Sequence, residues 1–269
     1  WRIHHATRHH TFYLPDPRPT PESFASFIRT LEPWERHILE KTTMTVTPDQ
    51  MIATLALSKL LLVSDGGAIP NIGTFGWALA TETGQRLATG SGPAPGEDPR
   101  SFRAESYGML SIVRFIKRLF EYTNNGTSHS ATIICDNQGL IIRSTRGLNR
   151  RYPVANKTLA PEWDLEQVIL TTIRELTFPC KLQHIKGHQD DVTPYHLLLL
   201  PAQLNVDADR KATHKLTKHG RYIPQVPFNP TSKLAFLIDG ATVTRNYKSK
   251  IRHANSGRTL IQAIATRYE

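Results

Sequence analysis

Two apolar runs that each end in an aspartate constrain this chain more than any other feature: KLLLVS before Asp65 and ATIIC before Asp136. Runs this short and this apolar read as buried strands, and a carboxylate closing such a strand is unfavourable unless something neutralises it. Glu105 in FRAESYG and Asp209 in LNVDADRKA add two acids where helices should begin, and His188 in HIKGHQDD follows a third strand-like run. Four carboxylates brought together repel one another strongly, and divalent cations are the usual remedy.

Patterning between these points sets the order of elements. Lys59–Ser64 reads as a buried strand, with Gly66-Gly67 turning the chain, and Phe75–Ala80 and Arg86–Gly90 follow as strands joined at Glu82–Gln85. Residues 91–101 read as a loop, and Ser101 can cap a helix that carries Tyr107, Leu110, Val113, Ile116 and Phe120 and ends near Asn124-Asn125-Gly126. Ala131–Cys135 and Lys181–Lys186 are further strands, with helices at Gln138–Ser144, from Pro161 to about Leu176, and at Leu204–Leu216. The fold class is therefore α/β, a five-stranded mixed sheet in the order βββ-α-β-α-α-β-α flanked by helices. Tight connections make the first three strands an antiparallel meander, and helical crossovers make the later ones parallel.

The flanks differ from this centre. Residues 1–21 are rich in His, Arg and Pro and read as irregular or extended; PESFASFIRTLEPWERHILEK then suggests one or two short helices with Phe24, Phe27, Ile28, Leu31, Trp34 and Ile38 on one face. Residues 42–58 read as a Thr-rich connector. Near the other end, LAFLIDGATVTRNY suggests a hairpin turning at Asp239-Gly240, followed by a basic helix from about Gly257 to Arg267.

Residues 210–269 hold 12 Lys/Arg against Asp239 and Glu269, which accounts for the whole net charge of +10. A second basic run, Arg143, Arg146, Arg150, Arg151 and Lys157, contains no acid. Such stretches suit a polyanion or, equally, form a solvated face. Cys135 and Cys180 lie in or beside buried strands, and two reduced thiols are expected in preference to a disulfide. No apolar run approaches the roughly 18 residues that span a bilayer and no signal-peptide core is present, so an intracellular protein, cytoplasmic or nuclear, with no membrane partner is expected. The chain begins at Trp1, which reads as a segment of something longer.

In parallel sheets the functional crevice lies at the carboxyl ends of the strands, where Asp65 and Asp136 meet if their strands are neighbours. An all-oxygen donor set suits hard cations, and two such ions about 4 Å apart can activate a water and stabilise the leaving oxygen of a phosphoryl displacement. Asp207 rivals Asp209, but the spacing from Asn205 and the following RKA favour Asp209, leaving Asp207 as a solvated helix-start acid. Asp164 falls near a helix N-terminus, and Asp190 and Asp191 are solvated loop charges.

SDGG, RAE, CDNQG, KGH and N-x-x-x-D, in this order and on these elements, resemble the catalytic core of type-1 ribonuclease H. The resemblance covers about residues 59–217, roughly 60% of the chain. It implies a ribonuclease H-like catalytic domain at 59–217, an N-terminal linker with short helices at 1–58, and a basic C-terminal extension at 218–269. It also implies that Asp65, Glu105, Asp136 and Asp209 hold two Mg²⁺ or Mn²⁺ ions and that His188 helps the product leave or protons move. Asn71, Gln138 and Asn205 match residues that touch nucleic acid or hold the histidine loop. The implied activity is hydrolysis of the RNA strand of RNA/DNA hybrids, for which 2′-hydroxyls supply the selectivity.

Several features depart from the family. Sixteen residues separate His188 from Asn205 where the family has a much shorter loop, and Leu197–Leu200 within it is apolar enough to require packing. The asparagines common before the helical Glu are replaced by Ser101 and Phe102, and no Trp-bearing basic helix precedes Pro161, leaving Arg143–Lys157 to touch the hybrid instead. The embedded core suggests a portion of a retrotransposon polyprotein with a reverse transcriptase upstream, although no Y-x-D-D signature occurs here. Two alternatives remain open: a catalytically inactive ribonuclease H-like module that binds nucleic acid or a partner, and a transposase or integrase on the related fold. The latter needs a helical Glu as its last acid, and here the last acid is an Asp.

Overall fold

The computed structural model describes residues 2–5, 8–11, 21–70, 72–96, 100–124, 130–150, 160–218, 237–238, 241–243 and 245–268. At the N-terminus β1 (Arg2–His5) and β2 (Arg8–Thr11) pair antiparallel, within the stretch expected to be irregular or extended. Ser23 caps α1 (Phe24–Thr30) by accepting from the Ser26 amide, and Pro33 opens α2 (Pro33–Leu39). Phe24, Ile28, Trp34, Ile38 and Leu39 are buried, as their periodicity predicts.

The connector expected at 42–58 is instead β3 (Thr42–Met44) and α3 (Pro48–Leu57). The reason is local. Thr47 and Gln50 form a reciprocal capping box, Pro48 fits the first turn, and Met51, Ile52 and Leu55 make a buried stripe.

The central sheet has the order β3-β6-β5-β4-β7-β8. It is built from β4 (Lys59–Ile69), β5 (Ile72–Thr81), β6 (Arg86–Pro93), β7 (Ser130–Cys135) and β8 (Cys180–His184). Pairs β4–β5 and β5–β6 are antiparallel, whereas β4–β7 and β7–β8 are parallel, as predicted. β3 adds a sixth strand against β6.

Helices cover both faces. On one side α4 (Ser101–Thr123) packs with α5 (Gln138–Leu148) and α6 (Trp163–Glu175) in a core that includes Leu60, Leu62, Ile133, Cys135 and the buried residues of α1–α3. On the other, α7 (Leu200–Lys218) brings Leu204 against Val63, Ala78, Ala80 and Ile134. From β4 to α7 the order is the βββ-α-β-α-α-β-α read from sequence. Ser101 is the first residue of α4 rather than its cap; Arg100 stands at the cap and makes no side-chain cap bond. Beyond α7, β9 (Leu237–Ile238) pairs with β10 (Ala241–Thr242), and Asp239-Gly240 lie outside the described residues. The last helix, α8 (Tyr247–Tyr268), begins ten residues before the expected Gly257. Among the described residues no helix is long and apolar enough to cross a membrane.

Candidate metal centre

Strand register brings the first two acids together. Ser64 pairs with Cys135 in the parallel β4–β7 ladder, so Asp65 and Asp136, one residue on, emerge side by side. Asp65 does not end its strand, however. β4 continues to Ile69 because its antiparallel partner does, with Asp65 opposite Gly76 and Ile69 opposite Ile72. Gly66 serves helix approach rather than a turn, since a Cβ there would overlap the Ala104–Glu105 backbone. Without that side chain the first turns of α4 descend onto β4 and deliver Glu105 to the aspartates.

The cluster is buried and short of positive charge. Asp65 is 6% exposed and Glu105 4%. The Gly66 amide donates to Asp65 Oδ1 at 2.6 Å, and the Asn205 side-chain amide donates to Oδ2 at 3.2 Å. Burial pushes the Asp65 carboxyl up to about 7, with the charges of Asp136 and Asp209 adding to the shift and the Gly66 amide and His188 opposing it. Burial also holds Glu105 well above the usual carboxylate range, and Asp65 and Asp136 reinforce this. The Cys135 thiol donates to Glu105 Oε2 at 3.5 Å. Ligand atoms of Glu105, Cys135 and Asp136 all lie within 4.8 Å of one another. Asp136 Oδ1 is shielded from solvent and has no hydrogen-bond partner. Among the described residues no Lys or Arg side chain pairs with Asp65, Glu105 or Asp136.

The remaining sequence candidates fall at different distances from this centre. Asp209 is half-buried on α7, acts electrostatically on Asp65, and accepts from the Thr213 hydroxyl at 3.1 Å. Asp207 is not the solvated helix-start acid expected. It lies inside α7, accepts from Tyr195 Oη at 2.9 Å and pairs with Arg86 at 3.3 Å, which removes it from contention. His188 is exposed, with φ +51°, and precedes a 3-10 turn at Gln189–Asp191. Asp190 and Asp191 are exposed, as expected. Gln138, the first residue of α5, is exposed two positions beyond Asp136. Asn71 lies outside the described residues.

Of the basic run, Arg143 bonds Glu166 and the Pro161 carbonyl and stacks over Phe102 at 4.8 Å, Arg146 and Arg150 are exposed, and Arg151 and Lys157 lie outside the described residues. The long loop after His188 is anchored. Leu198 packs with Ala202 and Val206, and Tyr195 ties the loop to Asp207, whereas Leu197 and Leu199 project into solvent.

A network that the sequence does not reveal supports the centre. Arg103, 1% exposed, donates to the Pro95 carbonyl at 2.6 Å and to Glu162 at 2.5 Å and pairs with Asp164 at 3.2 Å. This network fastens the start of α4, two residues before Glu105, to the start of α6. Nothing local marks it, because its members are about sixty residues apart. Cys135 is legible in the sequence as a reduced thiol of a buried strand, but not as a partner of Glu105.

The donor set fits hard divalent cations. Three carboxylates converge, and among the described residues no Lys or Arg pairs with them and Asp136 Oδ1 has no hydrogen-bond partner. No known protein-family model and no curated protein matches the sequence. Solved structures with a similar chain path include ribonuclease H1 of the archaeon Halobacterium salinarum, 15% identical over 60% of this chain and 98% of the other, with TM-score 0.39. LC11 ribonuclease H1 in complex with an RNA/DNA hybrid is 18% identical over 60% of this chain and 99% of the other, with TM-score 0.43. The protease-reverse transcriptase of prototype foamy virus is 18% identical over 60% of this chain and 21% of the other, with TM-score 0.37. At these identities and TM-scores the likeness is one of chain path and not of chemistry.

Proposed function

We propose that this chain is a metal-dependent endonuclease that hydrolyses the RNA strand of RNA/DNA hybrids. The observation that supports this reading is the convergence of Asp65 on β4, Asp136 after β7 and Glu105 on α4, with no Lys or Arg among the described residues paired to them. Asp65, Glu105, Asp136 and Asp209 would hold two Mg²⁺ or Mn²⁺ ions. Such ions, when bound, activate a water and stabilise the leaving oxygen in an in-line displacement at phosphorus.

The chain's own residues do the rest. The Gly66 and Asn205 donors fix both oxygens of Asp65, so its carboxylate is oriented before anything binds. Cys135 restrains Glu105 in the same way. His188, exposed at the start of its loop, exchanges protons with the departing product. Gln138 and Asn71 contact the hybrid, whose 2′-hydroxyls distinguish the strand to be cut. Exposed Lys248 and Arg252 on α8 belong to the basic C-terminal segment, which grips phosphates. The catalytic unit spans about 59–217, with residues 21–58 packed on it, and derives from an intracellular retroelement polyprotein carrying a reverse transcriptase upstream.

The test is cleavage of an end-labelled hybrid in Mg²⁺, beside duplex DNA and beside Asp136→Asn. Cutting of the RNA strand by the parent and not by the variant is expected. No cleavage by the parent would leave a binding module, and cutting of duplex DNA would favour a transposase or integrase.

A further inference from the structure

We propose that Cys135, Glu105 and Asp136 form a mixed sulfur–oxygen site that takes a thiophilic divalent cation, Zn²⁺ or Cd²⁺, more tightly than Mg²⁺. This rests on reading the carboxylate cluster as a cation site, but not on hydrolysis.

The spacing supports it. Two ligands on one tetrahedral zinc, with a Zn–S bond of about 2.3 Å and a Zn–O bond of about 2.1 Å, lie roughly 3.6 Å apart. Cys135 Sγ and Glu105 Oε2 are already 3.5 Å apart. The third ligand atom, on Asp136, lies within 4.8 Å of both, so a small rotation of one carboxylate closes the set. Asp136 Oδ1 is a shielded acceptor with no partner, which leaves a lone pair for an ion.

Chemistry then selects the ion. Magnesium takes oxygen ligands and gains nothing from sulfur, whereas zinc and cadmium bind thiolates strongly. Burial and the Glu105 charge keep the Cys135 sulfur a thiol, opposed by the Asn137 amide that donates to Sγ at 3.3 Å, so the cation itself must displace the proton. On binding, the proton that the thiol donates to Glu105 is released to solvent, and the Glu105 oxygen and the sulfur both turn to the cation. Three protein ligands leave one coordination position for water. A thiophilic ion seated there would exclude Mg²⁺ from the oxygens it shares.

The full chain titrated with Cd²⁺ tests this through the ultraviolet charge-transfer absorption of a cadmium–thiolate bond. The band is expected to grow stoichiometrically in the parent and in Cys180→Ser, and to be absent from Cys135→Ser. Glu105→Gln and Asp136→Asn should each weaken Cd²⁺ at least ~10-fold, a readout that stands even if Cys135→Ser fails to fold. Absence of the band from the parent, its persistence in Cys135→Ser, or unchanged Cd²⁺ affinity in both carboxylate variants would overturn the proposal. Hybrid cleavage in Mg²⁺ is read separately. A band without cleavage keeps this site and removes the nuclease, and cleavage without a band does the reverse.

Discussion

Glu35 and Glu105 are both buried against or within α4, yet their surroundings are opposite. Glu35, 1% exposed on α2, accepts from Arg114 Nε at 2.6 Å and from Arg118 Nη2 at 2.5 Å. Burial alone would raise its pKa, but the hydrogen bonds and charges of Arg118 and Arg114 outweigh burial and hold it below the ordinary value. Glu105 meets only other acids and a thiol, and every large influence but the thiol's hydrogen bond pushes its pKa up. This chain can therefore neutralise a buried carboxylate with its own arginines, and at the centre it does not. A charge left uncompensated in one place and fully compensated two turns of helix away is what a site for an external cation requires.

The sharpest break of this comparison is Glu105→Gln. If Glu105 acts as a unit with the aspartates, hybrid cleavage should fall ~10⁴-fold, about 5.5 kcal/mol of barrier, with the melting temperature of the ion-free protein preserved or raised. Near-normal cleavage would refute its role. At the compensated site the prediction is the reverse. Arg114→Ala leaves Glu35 short of a partner and should lower stability by about 3–5 kcal/mol in chemical denaturation, with no direct effect on ion binding. A loss below ~1 kcal/mol would show that Arg118 suffices alone.

The next effect is pH-dependent. Asp65 titrates at about 7 in the fold against an ordinary 3.8, so the folded state holds this proton more tightly than the unfolded chain. The stability it contributes is complete below the unfolded value and is lost as pH rises through about 7. In a chelator, the melting temperature of the parent should therefore fall relative to that of Asp65→Asn between pH 4 and pH 8. The upper limit is on the order of 4 kcal/mol. Mg²⁺ should restore the parent above pH 7 and leave Asp65→Asn nearly unmoved. Parallel curves for the two proteins would show that Asp65 carries no such burden. The smallest effect belongs to Asp207→Asn. Its pair with Arg86 is partly exposed, so stability should change by less than ~1 kcal/mol and Mg²⁺ affinity should not change.

Much of this contrast was legible in advance. Asp65 and Asp136 stood out because each follows a run of apolar residues, and α4 because its periodicity is strong. The stretch at 42–58 is hard to read because a three-residue edge strand carries almost no signal, and the Thr47–Gln50 capping box is its one local mark. Gly66-Gly67 looked like a turn because glycine has two uses, reversing the chain and admitting a neighbour. Only the position of α4 tells which one applies.

What the sequence determined by itself is the order of elements and the identity of the acids, since both follow from patterns within a few turns or strands. Tertiary structure decided which acids are neutralised and by what. Arg86 reaches Asp207, Arg114 reaches Glu35, and Arg103 reaches Glu162, each across 59 or more positions of chain. Such pairings follow from how helices lie on the sheet, and a buried charge is read correctly only once its partners are known. That is why Asp207 and Asp209, two residues apart on α7, separate into a structural ion pair and a neighbour of the metal centre.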